Sequence, residues 1–300
     1  MNTTASPIGV FDSGYGGLTV LRQIRRLMPH YDYLYLGDNA RAPYGPRSFE
    51  LVYEFTLQAV RHLFAMGCPL VILACNTASA KALRSIQQND LPRLYPPAVP
   101  NNAALPQSPV AESQQPSLLP TRRVLGVVRP TAECIGQLTQ TRHIGIVATQ
   151  GTISSHTYEL EIAKLHPDIV VTGEACPMWV PLVENHEHTS DGADYFVRKN
   201  LEHLLNRDPQ IDAIILGCTH FPLLIDKIRR YVPAHVRIIP QGDYVAQSLS
   251  DYLQRHPDME QRISHGGHTR FLTTEQPATF NASAALFLDA PVEAEKVIIK

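Results

Sequence analysis

The chain has 300 residues, with 26 Lys and Arg against 28 Asp and Glu, a formal net charge of −2, and 44% hydrophobic residues. That length holds one large α/β domain or two of moderate size, so core volume is not limiting, and two lobes are expected. Charge this close to balance offers no long-range field to a polyanion or an anionic membrane, which sets nucleic acid aside as a partner. No apolar run approaches the roughly 20 residues needed to span a bilayer. The opening MNTTASP has neither the basic segment nor the apolar core of a signal peptide. Five cysteines (Cys68, Cys75, Cys134, Cys176 and Cys218) make an odd number without a CxxC pair. A disulfide framework is therefore not expected, and the chain reads as cytoplasmic and reduced.

Short β-branched runs alternate with helical periodicity along the chain. Ile8–Phe11 reads as a strand that enters the glycine-rich turn Asp12-Ser-Gly-Tyr-Gly-Gly17, followed by a helix with Leu18, Leu21, Ile24 and Met28 on one face. Strands are expected next at Tyr33–Leu36 and Leu70–Ala74, with a helix carrying Phe55, Ala59 and Leu63 between them. From Leu91 to Thr121, eight prolines stand among Ser, Gln, Asn and Ala, a composition expected to form an extended surface excursion. Beyond it, strands are expected at Val124–Val128, Ile144–Ala148, Ile169–Thr172, Ala213–Leu216 and Val236–Ile239, then a helix with Val245, Leu249 and Leu253 on its buried face. After Arg255 the signal weakens. The expected fold is α/β: two pseudo-symmetric lobes with mostly parallel sheets flanked by helices and the active site in the cleft between them. Residues 1–91 and 224–300 are expected to form the first lobe, 92–122 the excursion, and 123–223 the second lobe.

Two segments share one grammar. Leu70–Ala74 runs into Cys75-Asn-Thr-Ala-Ser79, and Ala213–Leu216 runs into Gly217-Cys-Thr-His-Phe-Pro222. Each is a buried strand with a cysteine at its carboxyl end, followed by small polar residues suited to open a helix. That junction faces the ligand crevice of an open parallel sheet, and the positive end of the helix is expected to lower the thiol pKa. Cys68, Cys134 and Cys176 lack the placement and read as core or incidental thiols. One nucleophilic cysteine suffices for acyl transfer, and a disulfide switch is conceivable. Two thiols flanking one carbon, however, supply a base on one face and an acid on the other, which is what inversion of a stereocentre requires.

Other residues fall in the same layer. Asp12 ends the first strand, and its turn lacks both Gly-Lys-Ser/Thr and GxGxxG, so neither a phosphate loop nor a dinucleotide site is expected. Asp38, Tyr44 and Gly45, in LGDNARAPYG, are expected to project over the crevice. His220, two residues past Cys218, and Glu184, ending CPMWVPLVE, are candidates to orient a thiol or take its proton. His186, His188, His265 and His268 read as polar loop residues, and no metal site is expected.

FDSGYGGLTV, LGDNARAPYG, ILACNTAS, GTISSHTYE, ACPMWVPLVE and LGCTHFPLL, in that order, resemble glutamate racemase, within the cofactor-independent aspartate/glutamate racemase superfamily, over about Pro7 to Arg255. The resemblance implies two α/β lobes closing on L- or D-glutamate, no cofactor, and proton transfer between two cysteines. It assigns Asp12 and Cys75 to one face, and Cys218 with His220 and Glu184 to the other. Asp12-Ser13, Tyr44-Gly45, Asn76-Thr77 and Thr219-His220 would bind the substrate. In the family, D-glutamate feeds bacterial peptidoglycan assembly and homodimers are common. The excursion is longer than is usual there, and Arg129-Pro130 stands where an acidic or apolar residue often precedes the proline. Aspartate racemase, a related decarboxylase, or a non-catalytic binding role are the competing readings.

Overall fold

The computed structural model describes residues 6–95 and 122–299, so most of the proline-rich excursion, residues 96–121, lies outside the described residues. Ten strands are described: β1 (Ile8–Asp12), β2 (Tyr33–Gly37), β3 (Leu70–Leu73), β4 (Arg123–Gly126), β5 (His143–Ala148), β6 (Val170–Ala175), β7 (Ala213–Gly217), β8 (Arg237–Ile239), β9 (Thr269–Thr273) and β10 (Ala294–Lys296). They form a six-stranded sheet, ordered β10-β9-β2-β1-β3-β4, and a four-stranded sheet, ordered β6-β5-β7-β8. Every pairing is parallel. The α/β class with parallel sheets and flanking helices therefore holds. Continuous apolar runs such as LVIL in β3 and AIILG in β7 are buried at every position, as strands covered on both faces must be. Among the described residues, no helix is long and apolar enough to cross a membrane.

Register is what positions the chemistry. Asp12 pairs with Gly37 and Phe11 with Leu73, so the carboxyl ends of β1, β2 and β3 lie side by side. In the second sheet Ala148 pairs with both Ala175 and Gly217, which aligns the ends of β5, β6 and β7 in the same way. The strands that precede Cys75 and Cys218, β3 and β7, are interior strands of their sheets.

Several sequence expectations need correction. Strand β4 pairs with β3 and so belongs to the first sheet, while β8 pairs with β7 and belongs to the second. Both fall on the other side of the expected boundaries at 123 and 224, because alternation of strand and helix does not specify where a crossover lands. The chain returns to the first sheet with the helix Gly242–Arg255, which packs on the helix Gly17–Leu27. Val128 starts a helix, Val128–Cys134, rather than ending a strand; Pro130 fits its first turn, where a missing N–H costs nothing. Leu91–Leu94, expected to be irregular, forms a helical turn with Pro92 at its start.

The region past Arg255 is also integral. β9 extends the first sheet beside β2, and the helix Pro277–Leu288 buries Phe280, Ala284, Phe287 and Leu288. Phe280 is 0% exposed and sits against Tyr15 and Tyr35, at ring-centroid distances of 5.4 and 6.2 Å. Phe280→Ala should therefore cost about 3–5 kcal/mol of stability, the range for truncating a buried aromatic. Urea unfolding measures it, and a loss below about 1 kcal/mol would show that this helix is not part of the core.

Candidate active site

The ends of both sheets meet at one cavity of about 160 Å³. The first-sheet side contributes Ser13, Tyr44, Gly45, Cys75, Asn76 and Thr77, and the second-sheet side Thr149, Cys176, Glu184, Cys218, Thr219 and His220. Among the described residues, no Lys or Arg lines it. The volume falls well below the roughly 300–1,000 Å³ of pockets for drug-sized ligands, so it suits a molecule of amino-acid size. A larger groove of about 560 Å³ runs past Arg84, Arg129, Lys164 and Arg255, but neither strand-end thiol opens into it.

On the first-sheet side, Cys75 caps the helix Asn76–Lys81, its Sγ accepting from the Ala78 amide at 3.4 Å and its thiol donating to Ser13 Oγ at 3.5 Å. Contrary to the expected lowering, its pKa is pushed up to about 12. Burial is the largest cause, the charges of Asp12 and Cys218 add to it, and the Ser13 and Ala78 contacts offset only part. A six-residue helix does not overcome desolvation of the thiolate. The thiol is thus held protonated near neutrality.

The second side is built differently. Cys218 Sγ lies 3.9 Å from His220 Nδ1, and His220 Nε2 lies 3.0 Å from Glu184 Oε1 at the end of the helix Trp179–Glu184. Burial pulls the His220 pKa down, but hydrogen bonding to Cys218 and Glu184 and the charges of both more than offset it, and the imidazole is pushed up to about 10. Phe287 sets its ring edge-on to the imidazole at 5.2 Å. Gly16 is required here: a Cβ on it would fall 2.2 Å from Thr219 Oγ1 and 2.5 Å from His220 Nδ1, so the glycine-rich turn of one sheet can touch the cysteine loop of the other only without a side chain. Thr19 Oγ1 donates to the Thr219 carbonyl at 2.9 Å across the same junction.

Two expected site residues do not line the cavity. Asp38 is 0% exposed; it accepts from Arg41 Nε at 2.7 Å, from the Tyr44 hydroxyl at 2.5 Å and from Thr274 Oγ1 at 2.9 Å. With its oxygens so occupied, it braces Tyr44 rather than meeting a ligand. Asp12 is also 0% exposed, beneath the wall; Oδ1 accepts from the Gly14 amide at 2.9 Å, and Oδ2 has no hydrogen-bond partner. Burial raises its pKa, with the His220 charge and the amides of Gly14 and Gly17 opposing.

Sequence reasoning passed over Thr149, Thr152 and Cys176. Thr77, Thr149 and Thr152 join their hydroxyls across the two sides at 3.0, 3.4 and 3.1 Å. The Gly151 amide donates to the Gly45 carbonyl at 3.0 Å over the same seam. Thr149 stands at the end of β5, where the rule that found the two cysteines also points. Cys176 follows β6, which runs to Ala175 rather than ending at Thr172.

Each of the two parallel sheets thus carries, after an interior strand, a cysteine that lines this cavity. Residues 122–249 match the family model described as Asp/Glu/Hydantoin racemase. A curated glutamate racemase of Dinoroseobacter shibae is 39% identical over 296 residues, 95% of this chain and 97% of that protein. The solved glutamate racemase isoform of Bacillus anthracis has a TM-score of 0.82 and 32% identity, covering 99% of this chain and 98% of its own. That of Francisella tularensis, in complex with D-glutamate, has a TM-score of 0.80 and 26% identity over the same shares, 99% and 98%. The chain belongs to the glutamate racemase family, isomerases that work without pyridoxal phosphate.

The electrostatic contrast between the thiols has a direct readout. Cys75 and Cys218 are equally exposed, at 6%, so accessibility does not separate them. Iodoacetamide at pH 7.5 should alkylate Cys218 faster than Cys75 in the unliganded protein, because the thiolate is the reactive form, burial holds the Cys75 thiol protonated, and an imidazole stands beside Cys218. Peptide mass spectrometry measures both rates; faster labelling of Cys75 would contradict the contrast.

Proposed function

We propose that this protein interconverts L- and D-glutamate by a two-base mechanism in which Cys75 and Cys218 address opposite faces of Cα. The reading is carried by one observation: both strand-end thiols line the same small cavity from opposite sheets. In one direction the Cys218 thiolate, beside the His220–Glu184 pair, removes the α-proton, and the Cys75 thiol delivers its proton to the other face. Cys75 is left as thiolate and Cys218 as thiol, which is the starting state for the other enantiomer.

The α-proton of an amino acid is weakly acidic, so the carbanion needs fixed donors around the carboxylate. Ser13, Asn76, Thr77 and Thr219 serve that role, with backbone amides at the strand ends. Asn76 Nδ2 is buried without a hydrogen-bond partner, a donor suited to a bound carboxylate. Tyr44 and Gly45 bind the far end of the substrate. Asp12 acts from beneath the cavity, through its charge on Cys75 and His220. The D-glutamate product would feed cell-wall peptidoglycan in the cytoplasm of a bacterium, with the enzyme working as a homodimer.

Circular dichroism should follow turnover of both glutamate enantiomers without added cofactor, and in D₂O the product should carry deuterium at Cα. Cys75→Ala and Cys218→Ala should each abolish racemisation; near-native two-way turnover by either variant would remove the two-base mechanism, and preferential turnover of aspartate would reassign the substrate. The raised His220 pKa means that the imidazolium persists up to about pH 10 and is lost above it. The alkaline limb of the kcat/KM profile should therefore lie near that pH and move down in Glu184→Gln, which removes one of the groups holding the proton on. An unmoved limb would separate Glu184 from the relay.

A further inference from the structure

Asn76 is held by residues that do not line the cavity. Its Oδ1 accepts from the Tyr158 hydroxyl at 2.6 Å, while Nδ2 has no partner. Tyr158 is 1% exposed, on the helix Thr157–Leu165, and packs in the core of the second sheet. Gln241 Nε2 donates to the Tyr158 hydroxyl, and also lies 3.3 Å from the Val127 carbonyl and 3.0 Å from Thr131 Oγ1.

The direction of each bond in this chain follows from the one before. A backbone carbonyl can only accept, so Val127 fixes which end of the Gln241 amide is nitrogen. An amide nitrogen can only donate, so the Tyr158 oxygen accepts from Gln241 and its single proton is free for Asn76. Asn76 must then turn its oxygen to Tyr158 and keep its NH₂ for the cavity. A reversed amide would set oxygen against a bound carboxylate. Burial also raises the Tyr158 pKa, so the phenol keeps the proton the chain needs.

We propose that Tyr158, polarised by Gln241, is a positioning residue that locks the Asn76 side-chain amide with its NH₂ directed at the substrate carboxylate. The chain runs between lobes: Asn76 follows β3 of the first sheet, Tyr158 belongs to the core of the second, and Gln241 stands where the backbone leaves β8 for the helix Gly242–Arg255. The donor is therefore in place only when these elements are assembled. This inference rests on the proposed glutamate chemistry and adds to it the device that orients one of its donors.

The test is a double-mutant cycle on equilibrium binding, titrating an equilibrated mixture of L- and D-glutamate into the full-length protein. Tyr158→Phe removes only the hydroxyl and should weaken binding roughly ten- to hundredfold, the range for a hydrogen bond to a charged group. In an Asn76→Ala background the same substitution should change little, because Tyr158 acts through Asn76. Equal weakening in both backgrounds would mean a merely structural role, and unchanged binding in Tyr158→Phe alone would also overturn the inference. If Tyr158→Phe does not fold, as thermal unfolding reports, the same cycle with Gln241→Leu carries the same outcomes. Wild-type protein that binds neither enantiomer would sink the glutamate reading itself, a result distinct from any of these.

Discussion

Desolvation governs this site. Two ionisable sulfurs share one small cavity, and neither can carry charge there unless something compensates. Cys75 receives a serine hydroxyl and one helix amide, which do not suffice, and its pKa rises to about 12. Cys218 has an imidazole at 3.9 Å that is itself paired with a carboxylate at 3.0 Å, and the proton is held on that pair up to about pH 10. The two thiols therefore have unequal surroundings: Cys75 is held protonated by burial, while Cys218 stands beside an imidazolium paired with Glu184. A shared dielectric with unequal partners is what the proposed division of two identical side chains into acid and base draws on.

The fold exists to deliver those partners to one point. Parallel pairing aligns the ends of β1, β2 and β3 in one sheet and of β5, β6 and β7 in the other, and the loops that follow meet over the cavity. Contact between them is close enough to demand glycine at Gly16, against Thr219 and His220. Threonine hydroxyls from both sides and the Gly151–Gly45 backbone bond close the remaining seam. Among the described residues no Lys or Arg lines the wall, so a bound anion would be met by neutral dipoles and the His220 imidazolium, itself paired with Glu184.

Much of this was legible in the sequence because doubly covered strands are continuous apolar runs, and a cysteine directly after such a run has one place to go. Cys75 and Cys218 are of that kind. Cys176 escaped because the polar Thr172-Gly-Glu of β6 reads as the end of a strand that in fact continues to Ala175. Asp38 misled because a carboxylate at a strand end looks like a ligand group until its neighbours are known; Arg41, Tyr44 and Thr274 consume it. The closing helix Pro277–Leu288 was illegible for the opposite reason: PATFNASAALFL is apolar on most of its circumference and shows no single stripe. The pKa of Cys75 could not be read at all, since the helix end is local in sequence while the burial that outweighs it comes from the whole fold.

What the account requires of a substrate is geometric: Cα must sit between the sulfurs with its hydrogen in line with one of them. A crystal structure of the complex with glutamate measures this directly. Cys75 Sγ and Cys218 Sγ should lie on opposite faces of Cα, each within about 3–4 Å, at near-attack distance. Glutamate bound with both sulfurs on one face, or with either one out of reach of Cα, would contradict it.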